Sequence, residues 1–133
     1  MRRIAALLVL ATALGCGSDS STSPTDTTVE GTYTLRTVNR LPLPFTVLRS
    51  DSLTFEILGD AFTLKEDKTW NESGLSRTTY AGQVSTDAIA DSGTYVLSGT
   101  KITLISTNGS VDGSLSNGTL TLVNDAVVAL YQK

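Results

Sequence analysis

The chain of 133 residues has no histidine, a single cysteine, three prolines and one tryptophan, and only 17% of its residues are charged. Each shortage removes a class of chemistry. Without histidine there is no Ser–His or Cys–His nucleophile pair, no imidazole general base and no histidine metal ligand. A lone thiol cannot close a disulfide within the chain. No GxSxG elbow occurs among the abundant serines and threonines. No basic face suggests nucleic acid, and the acids are scattered rather than run together. A persuasive helical period is absent throughout.

What the chain does have is a leader. Met1-Arg2-Arg3 is a short basic start, and Ile4 to Leu14 is an apolar run of about a dozen residues. That is signal-peptide length, because a spanning helix needs ~20 apolar residues to cross the hydrocarbon. The run closes on Ala13-Leu14-Gly15-Cys16, small residues leading straight into the only cysteine. This resembles the lipobox of bacterial lipoproteins, with Ala13 where Leu is commonest. The resemblance implies cleavage after residue 15 and acyl chains on Cys16 that anchor the protein in a membrane. A thiol so used is no nucleophile. Two or three acyl chains hold firmly, since each buried CH₂ contributes ~0.8 kcal/mol and one chain alone is marginal. Gly17 stands where an Asp would resemble an inner-membrane retention signal, so outer-membrane placement in the cell envelope is expected.

Residues 16–28 read CGSDSSTSPTDTT, with no large apolar side chain after the cysteine. Such a segment cannot bury enough surface to offset its ordering entropy and is expected to be a flexible tether. Loss of Arg2 and Arg3 with the leader leaves 8 basic and 13 acidic side chains, a net charge of −5. A mildly acidic surface is the usual solution for solubility.

Residues 29–133 form one domain, large enough for a single core. Their pattern is period two, broken every eight to twelve residues by turn signals, which predicts an all-β antiparallel meander. Tyr33 and Leu35 alternate with Thr32, Thr34 and Arg36, and Leu53, Phe55 and Ile57 with Thr54 and Glu56. Gly59-Asp60 reads as a turn, after which Phe62 and Leu64 resume the alternation. Glu66-Asp67-Lys68, Ser98-Gly99-Thr100, Asn108-Gly109, Asn117-Gly118 and Asn124-Asp125 are further turns. Arg40 to Ser50 carries Pro42 and Pro44 and reads as an extended connection, and Ser85 to Asp91 as a polar loop. The expected architecture is a small barrel of about 8–10 short strands of five to seven residues, closed so that both sheet edges disappear. A β-sandwich is the alternative.

Gly31-Thr32-Tyr33-Thr34-Leu35 opens the domain, Asn39 to Pro44 follows, and Phe62-Thr63-Leu64 precedes a turn. Gly93 to Thr100 leads to Ile102-Thr103-Leu104, and Gly113 to Leu122 leads to a final strand ending at Tyr131. This order resembles the lipocalin-like, calycin-type domains of small bacterial lipoproteins and covers nearly all of residues 29–133. Tyr33 takes the place where true lipocalins carry the Trp of an opening Gly-x-Trp. The resemblance implies a closed antiparallel barrel.

No catalytic residue, metal or cofactor is expected. Asp60, Glu66, Asp67, Asp87 and Asp91 read as turn and loop formers, and Asp87-x-x-x-Asp91 lacks the ligand density of a Ca²⁺ loop. Tyr33, Phe55, Phe62, Tyr95 and Tyr131 fall on inward faces, with Phe45 and Trp70 expected near a barrel mouth. An interior lined by Tyr33, Phe55, Phe62, Trp70, Tyr95 and Tyr131 would take a small apolar ligand. The alternative is a filled barrel that meets an envelope protein partner through Arg40–Ser50, with Leu43 or Phe45 exposed. Either way the expectation is a non-enzymatic, lipid-anchored envelope protein.

Overall fold

A computed structural model describes residues 28–133. The leader, Cys16 and the tether up to residue 27 lie outside the described residues. Ten antiparallel strands follow one another: β1 (Gly31–Val38), β2 (Leu41–Pro42), β3 (Phe45–Arg49), β4 (Leu53–Leu64), β5 (Thr69–Tyr80), β6 (Gln83–Ser98), β7 (Lys101–Ser106), β8 (Gly109–Ser116), β9 (Thr119–Asn124) and β10 (Val127–Gln132). From β4 to β10 each strand pairs with the next, and β1 closes the ring by pairing with both β10 and β4. The result is a closed eight-stranded barrel with β2 and β3 as additions. All ten strands belong to one sheet, so the sandwich alternative falls away.

Closure depends on how β1 divides itself. Gly31–Thr34 pair with Ala61–Leu64 of β4, whereas Thr34–Val38 pair with Ala129–Gln132 of β10. Beyond the point where β1 leaves it, β4 pairs instead with β3, in register Phe45↔Ile57 and Leu48↔Phe55. The first half of β4, the second half of β5 and the first half of β6 therefore run on past the barrel wall. With β3 they make a protruding four-stranded flap. The lower end of the barrel carries the turns at residues 65–68, 99–100 and 117–118, together with Thr28. At the upper end lie the flap and the turns at residues 39–40, 107–108 and 125–126.

Several strands are longer than their alternation suggests: β4 and β5 have 12 residues each and β6 has 16. Gly59-Asp60 is no turn. The ladder to β5 slips between Ile57 and Gly59, a β-bulge inside one continuous strand. A bulge and a turn both break the period-two parity, which is why Phe55 and Ile57 face inward on one phase and Asp60, Phe62 and Leu64 on the other. Ser85–Asp91 is no loop but the first half of β6. It reads as polar because it pairs only with β5 out on the flap, exposed on both faces through Ala88. Within Arg40–Ser50, the connection contains β2 and β3, and Leu43 and Phe45 pack against the core rather than standing exposed. The outward apolar residues of that stretch are Leu41, Val47 and Leu48.

The core occupies the lower and middle barrel. Tyr33, Leu64, Ile102 and Leu120 are essentially inaccessible. Tyr33 Oη donates to the Val29 carbonyl at 2.6 Å and Tyr95 Oη to the Lys65 carbonyl at 2.7 Å, so both rings plug the lower end with their hydroxyls satisfied. Trp70 lies inside rather than at a mouth, 4% exposed, with Nε1 donating to the Thr94 carbonyl at 2.9 Å. Phe62 packs between it and Tyr131, with ring centroids 5.3 and 5.2 Å away respectively. The Asn117-Gly118 turn has both residues at positive φ, 50° and 72°, as a tight two-residue hairpin requires.

Removing the Tyr95 ring opens a cavity in this plug and leaves the Lys65 carbonyl with only the Lys68 N–H, 3.2 Å away. Tyr95→Ala is expected to lower the unfolding free energy by ~3–5 kcal/mol, whereas Tyr95→Phe loses only the hydrogen bond, about 1 kcal/mol. Urea titration of the pair separates the two contributions.

Candidate functional site

The upper half of the barrel is not filled. A cavity of about 380 Å³ lies under the flap, lined by Leu35, Val38, Phe55, Ile57, Ile89, Val127 and Ala129, with Asp60, Glu72 and Tyr131 as its polar residues. Ligand pockets of this kind are mostly apolar with a few placed polar groups. A second hollow of about 230 Å³ shares the Glu72 wall and is bounded by Phe62, Trp70, Asp91, Leu104, Ser106 and Asn108 among others. The six aromatic candidates thus separate. Phe55 and Tyr131 reach the cup, Phe62 and Trp70 line its neighbour, and Tyr95 stays in the lower plug. Tyr33, also in that plug, borders a shallow pocket beside Thr28 and Val29.

The polar residues come from three adjacent strands. Glu72 on β5 sits directly across from Asp91 on β6, and Asp60 on β4 pairs with Gly74, one side-chain pair along from Glu72 on the same face. Diagonal neighbours of this kind are within reach of long side chains. Gly74 has a steric reason: a Cβ there would lie 2.6 Å from Asp60 Oδ1 and 2.7 Å from the Gly59 carbonyl. The bulge and the glycine together make room for the Asp60 carboxyl inside the barrel, where it is 8% exposed.

Tyr131 Oη donates to Asp60 Oδ2 at 2.8 Å, and among the described residues Asp60 Oδ1 has no hydrogen-bond donor. Burial raises the affinity of Asp60 for a proton, opposed by its bonds to Tyr131, the Ala61 N–H and Glu72. Glu72 is pushed up to about 7, first by burial, then by the charge of Asp60 and a hydrogen bond with it, and last by Asp91. One proton is therefore shared by the pair up to neutrality and lies mainly on Glu72, which donates to Asp60. Asp91 behaves oppositely. The Ser92 N–H, Asn108 Nδ2 and Ser106 Oγ donate to it at 2.8, 3.2 and 2.9 Å and hold its carboxyl below the usual range. Tyr131 is pushed well above the ordinary phenol range by burial and by Asp60, so it stays a donor.

Sequence reasoning reads Asp60 and Asp91 as turn and loop formers and passes over Glu72. The usable signal was phase: Glu72 lies two residues from Trp70, on the same inward face. Ser98-Gly99-Thr100-Lys101 has the SxxK spacing of some serine–lysine enzymes, but it spans the β6–β7 hairpin and its Lys101 Nζ lies 3.2 Å from Asp112 Oδ2. Among the described residues no cluster of three metal-ligating side chains forms. Comparison of the chain with protein-family models, curated proteins and solved structures finds no match.

The acid pair makes stability depend on pH in a defined direction. Its proton affinity is raised on folding, so the folded state is favoured while the pair is protonated. Stability is full below the ordinary Glu value near 4.5 and falls as pH rises through about 7. The acids with lowered values act only at lower pH and there is no histidine, so the window is Glu72's. The urea midpoint is expected to drop between pH 5 and 8, and Glu72→Gln to flatten that drop. Gly74→Ala, which forces Asp60 out of place, is expected to cost ~1–3 kcal/mol and to alter the same profile.

Proposed function

We propose that this chain is a lipid-anchored cell-envelope binding protein with a lipocalin-like barrel, and that the cup under the flap receives a small, largely apolar molecule. The observation that carries the reading is the cup itself: about 380 Å³, open to the outside, apolar on its walls and polar at one spot. The lipobox-like Ala13-Leu14-Gly15-Cys16 supports the anchor, and placement in an outer membrane follows from Gly17 after the cysteine. The position of the chain's first described residue adds to this. Lys133 Nζ donates to the Thr28 carbonyl at 2.8 Å at the lower end, opposite the cup. An anchor reached through residue 16 would join the barrel at its plugged end and leave the mouth of the cup unobstructed by the tether.

A protein-partner reading keeps one specific support. The flap presents Leu48, Leu75, Tyr80 and Val84 to solvent, each about half exposed or more. Scattered apolar residues are ordinary on a protein surface, whereas an open interior needs an occupant or water. The cup therefore weighs more.

Native mass spectrometry of the lipoprotein extracted gently from its own membranes distinguishes the two, with the Cys16→Ser chain as control. A discrete extra mass on both forms, beyond acylation, is expected. A clean apo mass on both would move the search to protein partners. Cys16→Ser is also expected to abolish membrane retention, checked by fractionation; a mutant that stays bound would refute the anchor.

A further inference from the structure

The acids inside the barrel have no counter-ion among the described residues. Among the described residues the ion pairs are Lys68–Glu30, Arg77–Glu56 and Lys101–Asp112, all on the outside. Facing Glu72 are Asp60 from β4, Asp91 from β6 and Tyr131 from β10, three groups that bring negative charge or none. Buried carboxylates without a cation are costly, and proteins normally pair them or keep them protonated. Here the protonated form serves below neutrality. Above it, Asp60 and Glu72 hold two charges with no cation beside them, and Tyr131 Oη and the Ala61 N–H donate only to Asp60.

The orphaned atom is specific. Asp60 is 8% exposed, its Oδ1 has no donor among the described residues, and the residue lines the cup. Apolar walls from Leu35, Val38, Phe55, Ile57 and Ile89 surround it. We propose that the cup takes an amphipathic organic ammonium, with its alkyl or aryl body against these walls and its N–H groups donated to Asp60 and Glu72. The ammonium stands where the shared proton stands in the empty protein. It supplies donors to Asp60 Oδ1 and Glu72 and a charge that neither a neutral nor an anionic molecule brings. The rings of Phe55 and Tyr131 line the same cup, and aromatic rings suit a cation as well. Binding therefore releases a proton to solvent below and near neutral pH, and affinity rises with pH up to about 7 and then levels off until the amine itself loses its charge. This inference rests on the reading of the cup as a binding site and adds the class of ligand.

The test is a matched trio of probes with one tail and three heads: octylammonium, octanol and octanoate. Each is titrated calorimetrically into the full chain carrying Cys16→Ser, at pH 6 and pH 8. Octylammonium is expected to bind at least tenfold more tightly than octanol at pH 8, with octanoate weakest. Its observed heat at pH 7 should change with the ionisation enthalpy of the buffer, reporting the released proton. Glu72→Gln and Asp60→Asn should each weaken octylammonium about tenfold and octanol far less, and the octanol binding that remains shows that the cup is intact in the variants. Equal binding of all three heads would overturn the ammonium assignment and leave the cup standing. Binding of none would overturn both.

Discussion

Barrel closure through β1 is the constraint on which everything else rests. A single strand divides its hydrogen bonds between β10 and β4, and by doing so removes both edges of an otherwise linear meander. The division also decides where the barrel ends. Below it the wall is complete and the interior is plugged by Tyr33 and Tyr95. Above it β4 turns to β3, the wall extends as a flap, and side chains no longer meet across the middle. The hollow upper half is thus a consequence of the strand lengths that closure leaves over.

The interior polar floor follows from the same geometry. Three successive strands each bring one acid to the inner face within a short distance, and the bulge before Asp60 sets its phase. Each acid is then treated differently by its surroundings. Asp91 is stabilised in its charged form by hydroxyl, amide and backbone donors, whereas Asp60 and Glu72 compete for a proton beneath apolar walls. Titratable groups pushed apart in this way tend to mark functional sites, and the inference gains weight here because the pair opens into a cavity. Retaining unpaired carboxyls in a barrel that apolar residues could fill costs stability, a cost that the proposed ammonium would offset.

Most strands were legible because a half-buried strand must alternate. Tyr33/Leu35, Ile102/Leu104, Leu120/Leu122 and the last strand announce themselves. Two regions misled. The parity break at Leu58-Gly59 has the same one-residue signature whether the chain turns back or merely bulges, and only pairing with β5 decides between them. Ser85–Asp91 looks like a loop because its first residues, through Ala88, have both faces in water and no need of apolar side chains. Of the aromatic residues expected inside, Tyr95 proved to be plug, Tyr33 plug beside a shallow pocket, and Phe55 and Tyr131 cup; period two reveals a side chain's face but not its height along the barrel axis.

The sequence by itself determined the all-β class, the inward faces, most hairpins and the exclusion of histidine and disulfide chemistry. These depend on local periodicity, turn stereochemistry and residue inventory, which need no knowledge of distant contacts. Only the tertiary structure decided that the sheet closes through a shared β1 and that its upper half stays open. It likewise brought Asp60, Glu72 and Asp91 together. Those outcomes depend on register and strand overrun between segments far apart in the chain, and the burial that shifts an acid's proton affinity exists only once the barrel has closed.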